Sequence, residues 1–118
     1  MRAFVSVGLH PTEDKEKVVK AVQNLFPGTS LEGKELLNGP VTDLTTFQEL
    51  LEKRKIRNTF ESLLERNYCV GKTYLLLNKQ AAFMGTPNIY AHQELGPIKF
   101  ELECKEEELH EALWRKRT

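Results

Sequence analysis

The chain has 118 residues, enough for one compact domain with its own core and too few for two of ordinary size. Lys plus Arg and Asp plus Glu each number 17, so the formal net charge is zero and the general basic excess of many nucleic-acid binders is absent. Cys69 and Cys104 are the only cysteines and no segment approaches the length of a membrane span or a signal-peptide core, which points to one cytoplasmic domain with both thiols buried.

Taken in order, Ala3, Val5, Val7 and Leu9 share one face of a half-buried strand, and His10-Pro11 interrupts it. Thr12, followed by Glu13 and Asp14, reads as a helix start, with Val18, Val19, Val22, Leu25 and Phe26 as the buried stripe and Pro27-Gly28 as the stop. Lys15, Lys17 and Lys20 fall on its wet side. Residues 29–37 hold no single period and read as one weak strand or two short ones, and Asn38-Gly39-Pro40 reads as a turn. Thr42 or Asp43 can cap the next helix.

Between residues 43 and 66 the apolar positions fall into two sets. At about 100° per residue, Phe47, Leu50 and Leu51 point half a turn away from Ile56, Phe60, Leu63 and Leu64. One straight helix cannot bury both, so two helices with a break near Arg54-Lys55 are expected.

The apolar run Tyr74-Leu75-Leu76-Leu77 reads as a central strand buried on both faces, ending abruptly in Asn78-Lys79-Gln80. Asn78 can cap a single helical turn that reaches Phe83 and stops at Gly85. Thr86-Pro87-Asn88 and Leu95-Gly96-Pro97 are turns around a short strand at Ile89-Tyr90. Ile98, Phe100, Leu102 and Cys104 then alternate with Lys99, Glu101, Glu103 and Lys105, which marks an antiparallel strand with one wet face. A last helix runs from Glu106-Glu107-Glu108 to Arg115-Lys116-Arg117, with Leu109, Ala112 and Leu113 inward and Trp114 strapping its end. The fold class is α+β: a two-layer sandwich, mostly antiparallel sheet, with helices packed on one face.

Chemistry is concentrated between residues 53 and 79, where Lys53, Arg54, Lys55, Arg57, Arg66, Lys72 and Lys79 face only Glu61 and Glu65. Lys and Arg there suit phosphate contacts, and the Asn78 and Gln80 amides suit base or ribose contacts; the competing role for Asn78 is a helix cap. Phe83 and Tyr90 are candidate stacking platforms, although core packing is the commoner fate of an aromatic in a chain this small. Gly71-Lys72-Thr73 lacks the upstream glycine of a phosphate loop, because Arg66 stands there, and it leads into a strand rather than a helix. His10, His92 and His110 lie in separate elements without metal-ligand spacing, so no metal is expected.

The string Leu77-Asn78-Lys79-Gln80-Ala81-Ala82-Phe83-Met84-Gly85, with Leu95-Gly96-Pro97-Ile98 after it, resembles the archaeal UPF0201 family. So does His10-Pro11-Thr12-Glu13-Asp14 through Asn24-Leu25-Phe26-Pro27-Gly28. The resemblance spans nearly the whole chain, although the segment before Leu95 is shorter than is common in the family. It implies a fold similar to ribosomal protein L5 and a place among predicted RNA-binding and exosome-associated proteins, and it brings no catalytic residues. The resulting expectation is a non-enzymatic binder of structured RNA using Lys53, Arg54, Lys55, Arg57, Lys72, Asn78, Lys79 and Gln80. The alternative is a protein–protein interaction module or assembly subunit. Neither requires a membrane, a metal or a small-molecule cofactor.

Overall fold

Strict alternation at both ends of the chain builds the centre of one sheet. In a computed structural model that describes residues 2–91 and 96–109, β1 (Arg2–Gly8) buries Ala3, Val5 and Val7, and β4 (Pro97–Glu103) buries Ile98, Phe100 and Leu102. These two strands pair antiparallel, Val5 opposite Phe100. β2 (Leu36–Val41) adds to the outer edge of β1 and β3 (Lys72–Asn78) to the outer edge of β4, giving the antiparallel order β2-β1-β4-β3.

The described helices cover the same face. α1 (Lys15–Leu25) contributes Val18, Ala21, Val22 and Leu25, α2 (Thr45–Lys53) Phe47 and Leu51, and α3 (Arg57–Asn67) Phe60 and Leu64. Phe26 stacks on Phe100 with ring centroids 5.1 Å apart, and Phe47 lies 4.9 Å from Phe26 and 5.6 Å from Phe100, so one aromatic cluster joins helix layer to sheet. Each ring removed from water contributes about 2–3 kcal/mol, so this cluster adds several kcal/mol of cohesion where the two layers meet. The two-layer α+β architecture is therefore the one expected from the sequence.

Several local expectations change. Asn38-Gly39-Pro40 is strand rather than turn: Pro40 pairs with Phe4 and Gly39 with Val5 at the sheet edge, where a missing N–H costs no ladder bond. Gly39 is needed because a Cβ there would lie 2.1 Å from the Ser30 carbonyl oxygen, which crosses directly over it. β3 is an edge strand rather than a central one, and only one of its faces is buried: Thr73, Leu75 and Leu77 point inward while Tyr74 is exposed. Its outer edge is partly covered by Ile89, bridged to Leu77, as the short strand at 89–90 foreshadowed.

Helix starts shift by a turn or less. Asp14, not Thr12, caps α1, its carboxylate accepting the Glu16 N–H at 3.0 Å, while the Thr12 hydroxyl bonds the His10 ring nitrogen at 2.8 Å. Asp43 accepts the Thr45 N–H at 2.9 Å ahead of α2. The two-helix expectation for residues 43–66 holds, and Lys55 marks the break with φ +58°. Cys69 is exposed, against the expectation of two buried thiols, because it opens the tight Val70-Gly71 turn into β3 instead of packing inward. Glu106–Glu108 form a single 3-10 turn with Leu109 buried after it. The remainder of the expected last helix lies outside the described residues.

Candidate nucleic-acid interface

The Asn78-Lys79-Gln80 corner is built by continuing the parity of β3 one residue past its end. Asn78 keeps extended backbone and its Oδ1 accepts the Ala81 N–H at 3.0 Å, capping α4 (Lys79–Phe83), and Gly85 ends the turn with φ +80°. Lys79 has the same parity as Thr73, Leu75 and Leu77, so its side chain enters the fold. Its Nζ donates to the Gly8 carbonyl at 2.6 Å and to Glu13 Oε1 at 2.8 Å.

Glu13 also accepts the His10 N–H at 2.8 Å, so one carboxylate ties the β1-to-α1 turn to the start of α4. The Lys79 and Glu13 side chains are only 7% and 8% exposed. A buried ion pair persists when its remaining hydrogen-bonding capacity is met, and here the Gly8 carbonyl and the His10 amide help to meet it. Lys79 is thus a strut. Gln80, by contrast, is exposed at a groove of about 500 Å³ between α1 and α4.

The basic run sits at the α2-to-α3 junction. Arg54 and Ile56 close the end of α2 by donating backbone N–H bonds to Leu50 and Leu51 at 3.1 Å, and the left-handed residue Lys55 turns the chain between them. Ile56 packs on the core while Lys53, Arg54 and Lys55 are exposed; Arg57 is half-buried and already engaged. Among the described residues, none of Lys53, Arg54 and Lys55 is in an ion pair. Arg54 Nη2 donates to Thr86 Oγ1 at 3.0 Å, which joins this junction to the loop that follows α4.

Lys72 is elsewhere. It lies at the opposite end of β3 from Asn78, about 20 Å away by strand rise, with its side chain on the open face of the sheet. Glu103 is its partner at 3.8 Å. The eight residues singled out from the sequence therefore divide three ways: the junction cations, the α4 corner with only Gln80 turned outward, and Lys72 on the far layer.

Sequence reasoning missed two features that the fold assembles. Glu13 reads as an ordinary first-turn acid, and Lys17 and Lys20 as merely solvated, yet Lys17 lines the α1-to-α4 groove and Lys20 holds its ammonium 5.4 Å from the Phe83 ring centroid. Strand parity alone could have flagged Lys79 as an inward residue. Nothing local in the sequence flags the groove, because α1 and α4 are more than fifty residues apart.

A family model described as RNA binding matches residues 2–104. The chain belongs to the UPF0201 family. A UPF0201 protein of Methanothermobacter thermautotrophicus is 36% identical over 104 residues, covering 84% of this chain and 79% of that protein. One from Pyrococcus horikoshii is 33% identical over 110 residues, covering 86% of this chain and 80% of its own. Among solved structures, the UPF0201 protein of Methanococcus jannaschii superposes with a TM-score of 0.82 at 27% identity, across 99% of this chain and 96% of that one. A crystal structure of an uncharacterized UPF0201 protein gives the same TM-score at 30% identity, across 90% of this chain and 84% of that one.

In this UPF0201 chain Cys104 is a buried thiol. Burial pushes the Cys104 thiol above its ordinary value, and the Glu108 carboxylate pushes it further the same way, which disfavours the reactive thiolate. Among the described residues no helix is long and apolar enough to cross a membrane.

Proposed function

We propose that the protein is a non-enzymatic binder of structured RNA that docks through the α2-to-α3 junction. Phosphate contacts come from Lys53, Arg54 and Lys55, with Arg57 at their base and Gln80 reaching a base or ribose from the adjoining corner. The observation that carries the reading is the break itself: a left-handed Lys55 presents three consecutive exposed cations without ion-pair partners among the described residues, within a family whose model is described as RNA binding. Zero net charge fits a local contact of this kind better than a wrapping surface. Lys72 and Lys79 are left out of the contact set, the first by its position on the other layer and the second by its buried pair.

The test is a fluorescence titration of labelled tRNA and ribosomal RNA fragments at low salt. Saturable binding is expected, weakening with salt at a log–log slope of about −2 to −3 for three phosphates. Binding that is absent, or indifferent to Arg54→Glu with Lys55→Glu, would overturn the reading.

A second reading has its own observation. The open face of the sheet carries Phe4, Leu36, Tyr74 and Leu76 among the charges of Lys99, Glu101 and Glu103, a mixture suited to a protein partner. A partner retained after nuclease treatment, and lost with Tyr74→Glu, would favour an interaction module.

A further inference from the structure

The groove between α1 and α4 combines three kinds of group that a nucleotide requires. Its volume of about 500 Å³ falls within the range of small-molecule sites. Phe83 and Met84 present exposed apolar surface along it, Val18 and Ala21 form an apolar floor, and Gln80 and Asp14 offer an amide and a carboxylate at its rim. Lys17 in the lining and Lys20 next to it supply positive charge, the Lys20 ammonium lying over the Phe83 ring at 5.4 Å from its centroid, where an incoming base would share or displace it.

The lining charges balance, Lys17 and Lys79 against Glu13 and Asp14, and Lys20 over the Phe83 ring tips the surroundings to a small positive excess that suits a phosphate-bearing ligand. The Glu13 carboxylate, the most obvious source of repulsion, is neutralised by Lys79 beneath the surface. Asp14 is occupied through one oxygen by its own helix cap. A flat ring can stack on Phe83 and slide against the Met84 thioether, while Gln80 addresses its polar edge and the lysines take the adjoining phosphate. The groove is tied to the proposed RNA surface by hydrogen bonds, since Arg54 of the basic junction bonds Thr86, and the Thr86 N–H bonds the Ala81 carbonyl of α4 at 2.8 Å.

We infer that the α1-to-α4 groove receives one unpaired nucleotide, extruded from the folded RNA whose backbone rests on the α2-to-α3 junction. This rests on the RNA reading above and adds to it a base-stacking subsite centred on Phe83. It makes the preferred target a helix interrupted by a bulge, rather than uninterrupted duplex, because an unpaired base is cheapest to extrude.

Two hairpin RNAs test it, identical except that one carries a single bulged 2-aminopurine. Titrated against the wild-type chain, the bulged hairpin is expected to bind on the order of tenfold more tightly, with 2-aminopurine fluorescence quenched as it stacks. Phe83→Ala should abolish both the preference and the quench while leaving affinity for the paired hairpin unchanged, and Phe83→Tyr should restore both. Met84→Ala and Gln80→Ala, at exposed positions where truncation does not touch the core, should each reduce the preference severalfold.

Equal binding of the two hairpins, or a preference and quench that survive Phe83→Ala, would overturn the subsite and leave the junction reading standing. Failure of the wild-type chain to bind either hairpin would overturn both.

Discussion

Lys79 and Lys55 are the same residue type in polar-looking stretches of sequence, and the fold uses them in opposite ways. Lys79 continues the inward parity of β3, meets Glu13 and the Gly8 carbonyl, and becomes part of the core. Lys55 occupies a left-handed break between helices whose apolar stripes point apart, and its charge has nowhere to go but solvent. Position relative to the apolar pattern decides which lysine is architectural and which is available to a ligand.

The largest expected effect lies on the architectural side. Lys79→Met leaves the Glu13 carboxylate buried without its cation and should cost about 3–5 kcal/mol, seen as a fall in melting temperature of roughly 12–20 °C. Lys55→Met at the exposed break should stay within about 0.5 kcal/mol of the parent. In a double-mutant cycle, Glu13→Gln with Lys79→Met should be less destabilising than the sum of the single changes. Strictly additive losses would break the comparison by showing that the two charges do not sense each other.

Next comes the functional side. Arg54→Glu with Lys55→Glu should weaken RNA binding by on the order of tenfold to a hundredfold at low salt, an effect that shrinks as salt rises, with the thermal melt unchanged. Lys72→Glu, on the other layer, should change affinity less than threefold if the contact is local. An equal loss from Lys72→Glu would mean that charge acts over the whole molecule rather than at the junction.

How far these roles could be read in the sequence follows from the range of the forces involved. The two-helix break was legible because it depends only on apolar phase within twenty residues, and the Asn78 cap because it depends on four. β4 was legible because its alternation is unbroken. The Asn38-Gly39-Pro40 strand was not, since its residues have turn character and only the crossing Ser30 carbonyl and the pairing with β1 explain them. The edge position of β3 was hidden for a related reason: Tyr74 and Leu76 are apolar but lie on the face turned away from the described helices. Of the site, the junction cations were visible as a run, whereas the pairing of Lys79 with Glu13 spans 66 positions and exists only in three dimensions.

A smaller effect separates capping from tethering at the same corner. Asn78→Ala removes the acceptor for the Ala81 N–H and should cost about 1 kcal/mol, well below the cost at its neighbour Lys79. Asn78→Asp, which keeps the acceptor, should recover most of it. If Asn78→Ala instead lowered RNA affinity without moving the melt, Asn78 would belong with Lys55 on the functional side.

The smallest change sharpens what the left-handed break at Lys55 means. Among the described residues Val70 is the other non-glycine residue at positive φ, at +45°, in the two-residue Val70-Gly71 turn closed by Cys69 and Lys72, whose amides and carbonyls bond at 2.8 and 3.1 Å. That geometry favours Asn-Gly, and a β-branched residue there is strained, so Val70→Asn should stabilise the fold by about 1 kcal/mol. Val70 is 91% exposed, so little packing is lost in the exchange. Lys55→Asn, relieving the same backbone conformation, should stabilise by a similar or smaller amount while weakening RNA binding. Opposite signs for stability and affinity at residue 55, against a purely stabilising change at residue 70, would show that Lys55 is held in an unfavourable conformation for its charge and not for the turn alone.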